Sequence, residues 1–296
     1  MSTTENSASE NGRGSDTWSS SWMHFTVERP SRGFCRVTFD HPPVNTITAM
    51  TVAELAELVG LVEHDPDLNV VVFKSANRDF YLAHYDVEDD PGRTAALGVG
   101  PTGMPAWIDA LVRLSRAPVV SIASIRGRAR GAGSEFVLAC DLRFASRENT
   151  LLGQFEVGTG VVPGGGPMAR LARLVGRGRA LEILLVADDF DGPRAERYGY
   201  VNRLIADAEL DGEVEAIAAR LARFDRDAIA RTKSYVDQVT LPANSELVPP
   251  LADFRDLVAR PAQQAQWARL RELGLNADSE LERSLGRRVL ESLPGA

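Results

Sequence analysis

The 296-residue sequence predicts an α/β core followed by a helical C-terminal region. Three observations predict it. Short β-branched and aromatic runs alternate with segments of helical periodicity through the first two thirds of the chain. A glycine-rich stretch sits between an apolar strand and a short apolar helix. From Asp207 onward every periodic segment is helical.

Taken in order, residues 22–29 and 34–39 read as strands, and Pro30, Ser31, Arg32 and Gly33 between them carry turn chemistry, so a hairpin is expected. Residues 51–64 place Val52, Leu55, Leu58, Val59 and Val62 at helical spacing, and 69–74 returns as a buried strand, completing a ββα-type unit. An irregular stretch follows around Asp89, Asp90, Pro91 and Gly92. The rhythm then recurs: helix at 107–114, strand at 118–125, helix at 135–139 after the glycines, strand at 141–145. Beyond Pro163 the signal is helical at 168–175, 180–186 and 193–198, with one short strand at 200–205. Pro249 and Pro250 punctuate the last region, which ends in helices at 260–272 and 279–290. This divides the chain into a disordered tail (1–20), a core (21–206) and a helical region (207–296).

With 44% hydrophobic and 25% charged residues, the composition is that of a soluble globular protein able to bury a large core. A net charge of −8 argues against nucleic-acid binding, which needs a basic face. No run of eighteen uncharged apolar residues occurs, so no membrane span is expected, and the Ser-, Thr-, Asn- and Gly-rich start has no apolar signal segment. Cys35 and Cys140 sit in apolar patterns as buried free thiols, which makes the cytoplasm the default compartment. The four histidines form no metal-type cluster.

The most informative segment runs from Gly127 to Glu135, with Gly131, Ala132 and Gly133 just before the helix. Small residues let a ligand approach the backbone, and exposed amides at a helix N-terminus favour developing negative charge, as an oxyanion hole requires. A phosphate cradle is a rival, but the Lys-Ser/Thr ending of a nucleotide loop and the dinucleotide spacing are both missing. A tight turn without function also fits the glycines taken alone. About twenty residues later come Gln154, Phe155, Glu156 and Val157, then Val162, Pro163, Gly164, Gly165 and Gly166, with Arg170 and Leu171 after them.

These motifs together resemble the crotonase (enoyl-CoA hydratase/isomerase) superfamily. The glycine cluster ending in Glu135 and followed by Cys140 and Asp141, the Q-x-E-V segment and the P-G-x-G segment match in order and spacing. Pro43-Val44-Asn45-Thr46-Ile47 resembles the family's N-A-L segment, and Leu82-Ala83-His84-Tyr85-Asp86-Val87 its A-G-A-D-I segment. The resemblance runs from about Phe25 to Lys233 and weakly to the helix after Pro261. It implies a spiral of ββα units with a helical C-terminal region that builds a homotrimer or a dimer of trimers. It also implies an acyl-CoA substrate and no cofactor beyond that substrate's own coenzyme A.

Carried over residue by residue, the resemblance makes the amides of Tyr85 and Ala132 the oxyanion donors, within loops formed by Ala83, His84, Gly131 and Gly133. Glu135 and Glu156 take the two glutamate positions that flank a water in the family's hydratases. Adding water across an α,β-unsaturated thioester needs one group to take a proton from water and one to deliver a proton to the α-carbon. Possession of both carboxylates favours hydration, whereas isomerases of the family generally manage with the second. Lys233, Arg128 and Arg130 are candidate contacts to the CoA phosphates, and Asp141 is structural. Trp267 and Leu270 share a helical face suited to a subunit contact.

The pattern breaks at His84, where the family has glycine, and at Tyr85, where it has alanine. Ala132 replaces the middle glycine, and Ala169 stands before Arg170 where Gln is usual. A Cβ at position 84 is strained if φ there is positive, and the imidazole is placed to enter the CoA channel. His84 also suits acid–base chemistry, which keeps open a C–C hydrolase acting on β-diketones, besides an isomerase and a non-catalytic acyl-CoA binder.

Overall fold

The computed structural model describes residue 18 and residues 22–86, 88–89 and 91–293. In chain order the elements are β1 (Phe25–Ser31), β2 (Phe34–Phe39), α1 (Ala49–His64), β3 (Val70–Ser75), β4 (Phe80–Leu82), α2 (Pro91–Ala96), α3 (Ala106–Arg116), β5 (Val120–Arg130), α4 (Ala132–Ala139), β6 (Leu142–Gly153), α5 (Pro167–Val175), α6 (Arg177–Val186), β7 (Phe190–Asp191), α7 (Gly192–Tyr198) and β8 (Arg203–Ile205). The C-terminal region adds α8 (Leu210–Leu221), α9 (Arg226–Thr240), α10 (Asn244–Val258), α11 (Pro261–Glu272), α12 (Glu280–Arg283) and α13 (Leu285–Arg288). The expected α/β core followed by helices is present.

β5 and β6 carry the architecture. β1 and β2 form the antiparallel hairpin, and β2, β3, β5 and β6 then run parallel. β5 and β6 each serve two neighbours: β5 pairs β3 through its first half and β4 through its second, while β6 pairs β8 and then β7. The β5–β6 register shifts between Ile125 and Gly127, and Gly127 has φ +84°. Both strands therefore continue well past the ends expected at 125 and 145, so the start of the glycine cluster is strand, and Arg128 and Arg130 lie on it. The irregularity at Gly127 hides this continuation from a simple periodicity reading.

α4 is fixed to the sheet by an aromatic cluster. Phe136 meets Phe39 and Phe73 edge-on at 5.2 and 5.0 Å, and Phe39 meets Tyr81 at 5.7 Å. All four rings are at most 2% exposed, so the helix that carries Glu135 rests on the deepest part of the core. α8 covers the other face, with Val214 and Ala218 against Phe34, Val70, Ile122 and Phe144.

Several expectations change. Pro249 and Pro250 lie inside α10 rather than interrupting the region. Each lacks an N–H for the helix ladder, but Leu247 is held against Met104, Ile108 and Val112, and Glu246 against Arg173. The final helix expected at 279–290 is broken at Ser284 (φ −131°, ψ 28°) into α12, α13 and a 3-10 turn. Trp267 and Leu270 do not face outward for a partner: they are buried in their own chain with Phe155, Val161, Leu281 and Val289. The tail expected at 1–20 lies outside the described residues except for Trp18, whose indole Nε1 donates to Asp65 Oδ2 at 3.0 Å beneath the Arg29 guanidinium.

Candidate active site

The turn from β5 into α4 brings four of the expected residues together. Gly131 has φ +50°, and a Cβ there would lie 2.9 Å from Glu156 Oε1. A Cβ on Gly133 would lie 2.0 Å from the carbonyl oxygen of Leu82. Only glycine permits both approaches, one to the second glutamate and one to β4. Ala132 begins the helix, and its amide has no backbone acceptor among the described residues. Tyr85 reaches the same neighbourhood from β4. Ile47 N donates to His84 O and Asp86 N donates to Ile47 O, both at 2.8 Å, which leaves the Tyr85 amide on the opposite edge of this bridge. It likewise has no backbone acceptor among the described residues. Ala83 is pinned beside them, its amide donating to Asn45 O at 3.1 Å.

The two carboxylates lie in unequal surroundings. Glu135, 3% exposed, accepts from Trp107 Nε1 (2.9 Å) and Gly165 N (2.7 Å). Burial pushes its carboxyl above the ordinary range, against these two bonds and the charge of Arg170. Glu156, 7% exposed, opens a 3-10 turn (Glu156–Thr159) after β6. The Gln154 amide, oriented by its neighbours, donates to its two oxygens at 3.0 and 3.1 Å and accepts from Ser134 Oγ at 3.2 Å. Ser134 is in turn hydrogen-bonded to the Tyr200 hydroxyl. Burial, and then the negative charge of Glu135, hold Glu156 well above the ordinary carboxyl range. Both carboxyls are thus raised, Glu156 the more strongly, and Glu135 has two neutral donors that favour its charged form.

Trp107, Gly165, Gln154, Ser134 and Tyr200 were not assigned site roles from the sequence. Gln154, Gly165 and Ser134 lay in recognised segments without an assigned role, whereas Trp107 and Tyr200 are distant in the chain, and only the fold brings them to this site.

The expected phosphate contacts are committed elsewhere. Lys233 Nζ donates to Asp141 Oδ2 (2.7 Å) and Val119 O (3.0 Å). Arg130 is fully buried and forked onto Asp189 at 2.6 and 2.8 Å. Arg128 donates to the Arg283 and Asp79 carbonyls and stacks on Phe80. All three serve as internal ties. Asp141 has the expected structural part, accepting from Ser121 N at 2.8 Å as well as from Lys233. A cavity of about 840 Å³ lies at the other end of α4, with Leu138, Asp141, Arg170 and Lys233 in its lining, away from both glutamates. The chemistry is located by the carboxylates, not by this hollow. Among the described residues no group of His, Cys, Asp and Glu is arranged to hold a metal, and no helix is long and apolar enough to cross a membrane.

His84 is not strained, since its φ is not among the positive values, and its ring does not enter a channel. The imidazole is 1% exposed, with Nδ1 donating to Tyr85 O at 2.7 Å and Nε2 to Glu282 Oε2 at 3.1 Å. The carbonyl at Nδ1 requires an N–H there, and the opposite shifts of His84 (upward) and Glu282 (downward) favour an imidazolium paired with a carboxylate. Burial alone lowers the His84 pKa, but the charge and hydrogen bond of Glu282 and the Tyr85 carbonyl outweigh it, and the net shift is upward. Burial alone raises Glu282, but His84 and then Arg130 outweigh it, and the net shift is downward. Arg130, itself paired with Asp189, opposes His84 protonation.

The raised His84 contributes stability that is complete below its unfolded pKa of 6.5 and is lost as pH rises through the folded value; the lowered Glu282 contributes stability that is complete above 4.5 and is lost as pH falls through its own. The stability difference between wild type and His84→Gln in urea unfolding is therefore expected to be larger at about pH 5.5 than at about pH 9. An equal difference at both pH values would show that the pair is not ionised.

Comparisons with known proteins give the family. The family model described as enoyl-CoA hydratase/isomerase matches residues 29–249. A crotonyl-CoA hydratase from Syntrophomonas wolfei is 32% identical over 66% of this chain and 74% of its own. A short-chain-enoyl-CoA hydratase from Clostridium acetobutylicum is 29% identical over 68% and 77%. A crystal structure of a putative enoyl-CoA hydratase from Streptomyces avermitilis is 44% identical, covers 91% of this chain and 97% of its own, and superposes with a TM-score of 0.86. With the paired carboxylates and the glycine turn in place, the match over residues 29–249 means that this chain belongs to the enoyl-CoA hydratase/isomerase family.

Proposed function

We propose that the protein adds water across the double bond of a 2-enoyl-CoA thioester. The observation that carries this reading is the unequal carboxylate pair: Glu135 accepts two neutral hydrogen bonds, while burial and the charge of Glu135 raise Glu156 well above the ordinary carboxyl range, as a proton donor requires. In the proposed step Glu135 takes a proton from water as its oxygen bonds to C3. The π electrons move towards the thioester oxygen, where the Tyr85 and Ala132 amides hold the developing enolate, and Glu156 delivers its proton to C2. One proton has moved from Glu156 to substrate and one from water to Glu135. A proton returned between the two carboxyls resets the site.

No cofactor beyond the substrate's coenzyme A enters this scheme. Both His84 nitrogens are engaged, which leaves the ring no free lone pair to act as a base and supports hydration over a histidine-dependent C–C hydrolase. The second carboxylate supports hydration over double-bond migration alone. A closed homo-oligomer built on trimers belongs to the same reading. It is supported by α9, which buries no residue in this chain and exposes Tyr235, Val236 and Val239.

Glu135→Gln and Glu156→Gln are each expected to lower hydratase kcat by about 100-fold or more, and the double variant by much less than the product. The assay is a screen of 2-enoyl-CoA thioesters against free β-diketones with products identified by mass spectrometry. Hydration that survives Glu135→Gln, with migration lost in Glu156→Gln, would make the enzyme an isomerase. The oligomer is checked by light scattering at micromolar concentration, where a trimer or hexamer is expected and a monomer would contradict it.

A further inference from the structure

The 84–86 loop is tied to the far end of the chain. Glu282 on α12 accepts from His84 Nε2, and the same Oε2 accepts from Asn276 N at 3.1 Å. Asn276 Nδ2 donates to Asp86 Oδ1 at 2.6 Å, on the other side of Tyr85. Ser279 Oγ caps α12 by accepting from Glu282 N at 3.0 Å. Arg130, on the strand that leads into the glycine turn, donates to the Glu282 carbonyl at 2.8 Å. Phe155, next to Glu156, lies between His84 and Trp267, with ring centroids 5.6 and 6.1 Å away.

The backbone at Tyr85 shows what these ties do. The peptide before it has its carbonyl on Ile47 N, and its N–H points the opposite way because the bond is trans. The peptide after it has its N–H on Ile47 O and its carbonyl on His84 Nδ1. One side of the loop is held by Ile47, and the side bearing the Tyr85 amide is held by the imidazole. Glu282, in contact with Nε2 at 3.1 Å, fixes that imidazole in its rotamer.

We infer that Glu282 is a positioning residue which, through His84, aims the Tyr85 amide at the thioester oxygen, so that the segment from Asn276 to Arg283 is a working part of the active site. Both side chains are buried, His84 1% and Glu282 0% exposed. This rests on the hydratase reading above, and the pair takes the place of the glycine that the family's pattern has at position 84. A buried ion pair adds little net stability over apolar packing, whereas orientation of a donor is sensitive to small displacements.

The test uses the full chain with acetoacetyl-CoA, whose enolate absorbs in the near ultraviolet and whose enolised fraction when bound reports how strongly the amides hold an oxyanion. Wild-type protein is expected to enolise the bound ligand. Glu282→Gln and His84→Ala should each lower the enolised fraction at saturation and reduce kcat by about tenfold or more with KM changed by less than about threefold. His84→Gln, whose amide can still donate to the Tyr85 carbonyl, should recover part of both, and the His84→Ala/Glu282→Gln double variant should resemble His84→Ala alone. Either single variant, if folded by circular dichroism, carries the test without the other. Unchanged kcat and enolisation, or an effect on KM alone, overturns the inference. Wild-type protein that neither hydrates an enoyl-CoA nor enolises the ligand overturns the hydratase reading, a result distinct from any difference among the variants.

Discussion

Two carboxyl groups buried side by side cannot both be charged at modest cost, and the fold resolves this by giving them different partners. Glu135 receives the Trp107 indole N–H and the Gly165 amide, and Glu156 receives the bifurcated Gln154 amide and a weaker bond from its own backbone. A carboxylate with two donors keeps its charge more easily than one with a bifurcated donor and a weaker bond, and the charge it keeps raises its neighbour further. In the hydration proposed above, these hydrogen bonds would separate base from acid before substrate arrives.

The architecture serves this arrangement. Beyond the shift at Gly127, β5 and β6 stay paired to Arg130 and Gly153, so the helix after one strand and the turn after the other begin next to each other. Glycine at 131 lets the backbone pass against Glu156, and Phe136, one residue beyond Glu135, locks the helix into the core. From the other direction Phe155 packs on Trp267, so the C-terminal helices seal the side of the site that the sheet leaves open. The ionised side chains that the resemblance offered to the CoA phosphates are spent on holding these pieces together.

Much of this was legible in the sequence, because strong local signals carry it. The hairpin, α1, β3, α3 and the glycine turn follow from periodicity and turn chemistry, and Glu135 and Glu156 were singled out by the resemblance to the family. What was missed depends on contacts distant in the chain. The extension of β5 beyond Gly127 needs the neighbouring strand β4, whose three residues carry no period of their own. The continuity of α10 through Pro249 and Pro250 needs the packing of Leu247. Trp267 and Leu270 were correctly grouped on one face, but amphipathicity does not say whether the covering surface belongs to the same chain. His84 stood out as a departure, and its partner lies 198 residues away, beyond any pattern in the sequence.

The account turns on Glu156 being protonated and Glu135 ionised before substrate binds. Infrared difference spectroscopy in the carbonyl-stretch region of carboxylic acids addresses this directly, by comparing wild type with Glu156→Gln and Glu135→Gln at neutral pH. The account predicts a protonated-carboxyl band in wild type that is lost in Glu156→Gln. A band that is retained in Glu156→Gln and lost in Glu135→Gln would contradict it.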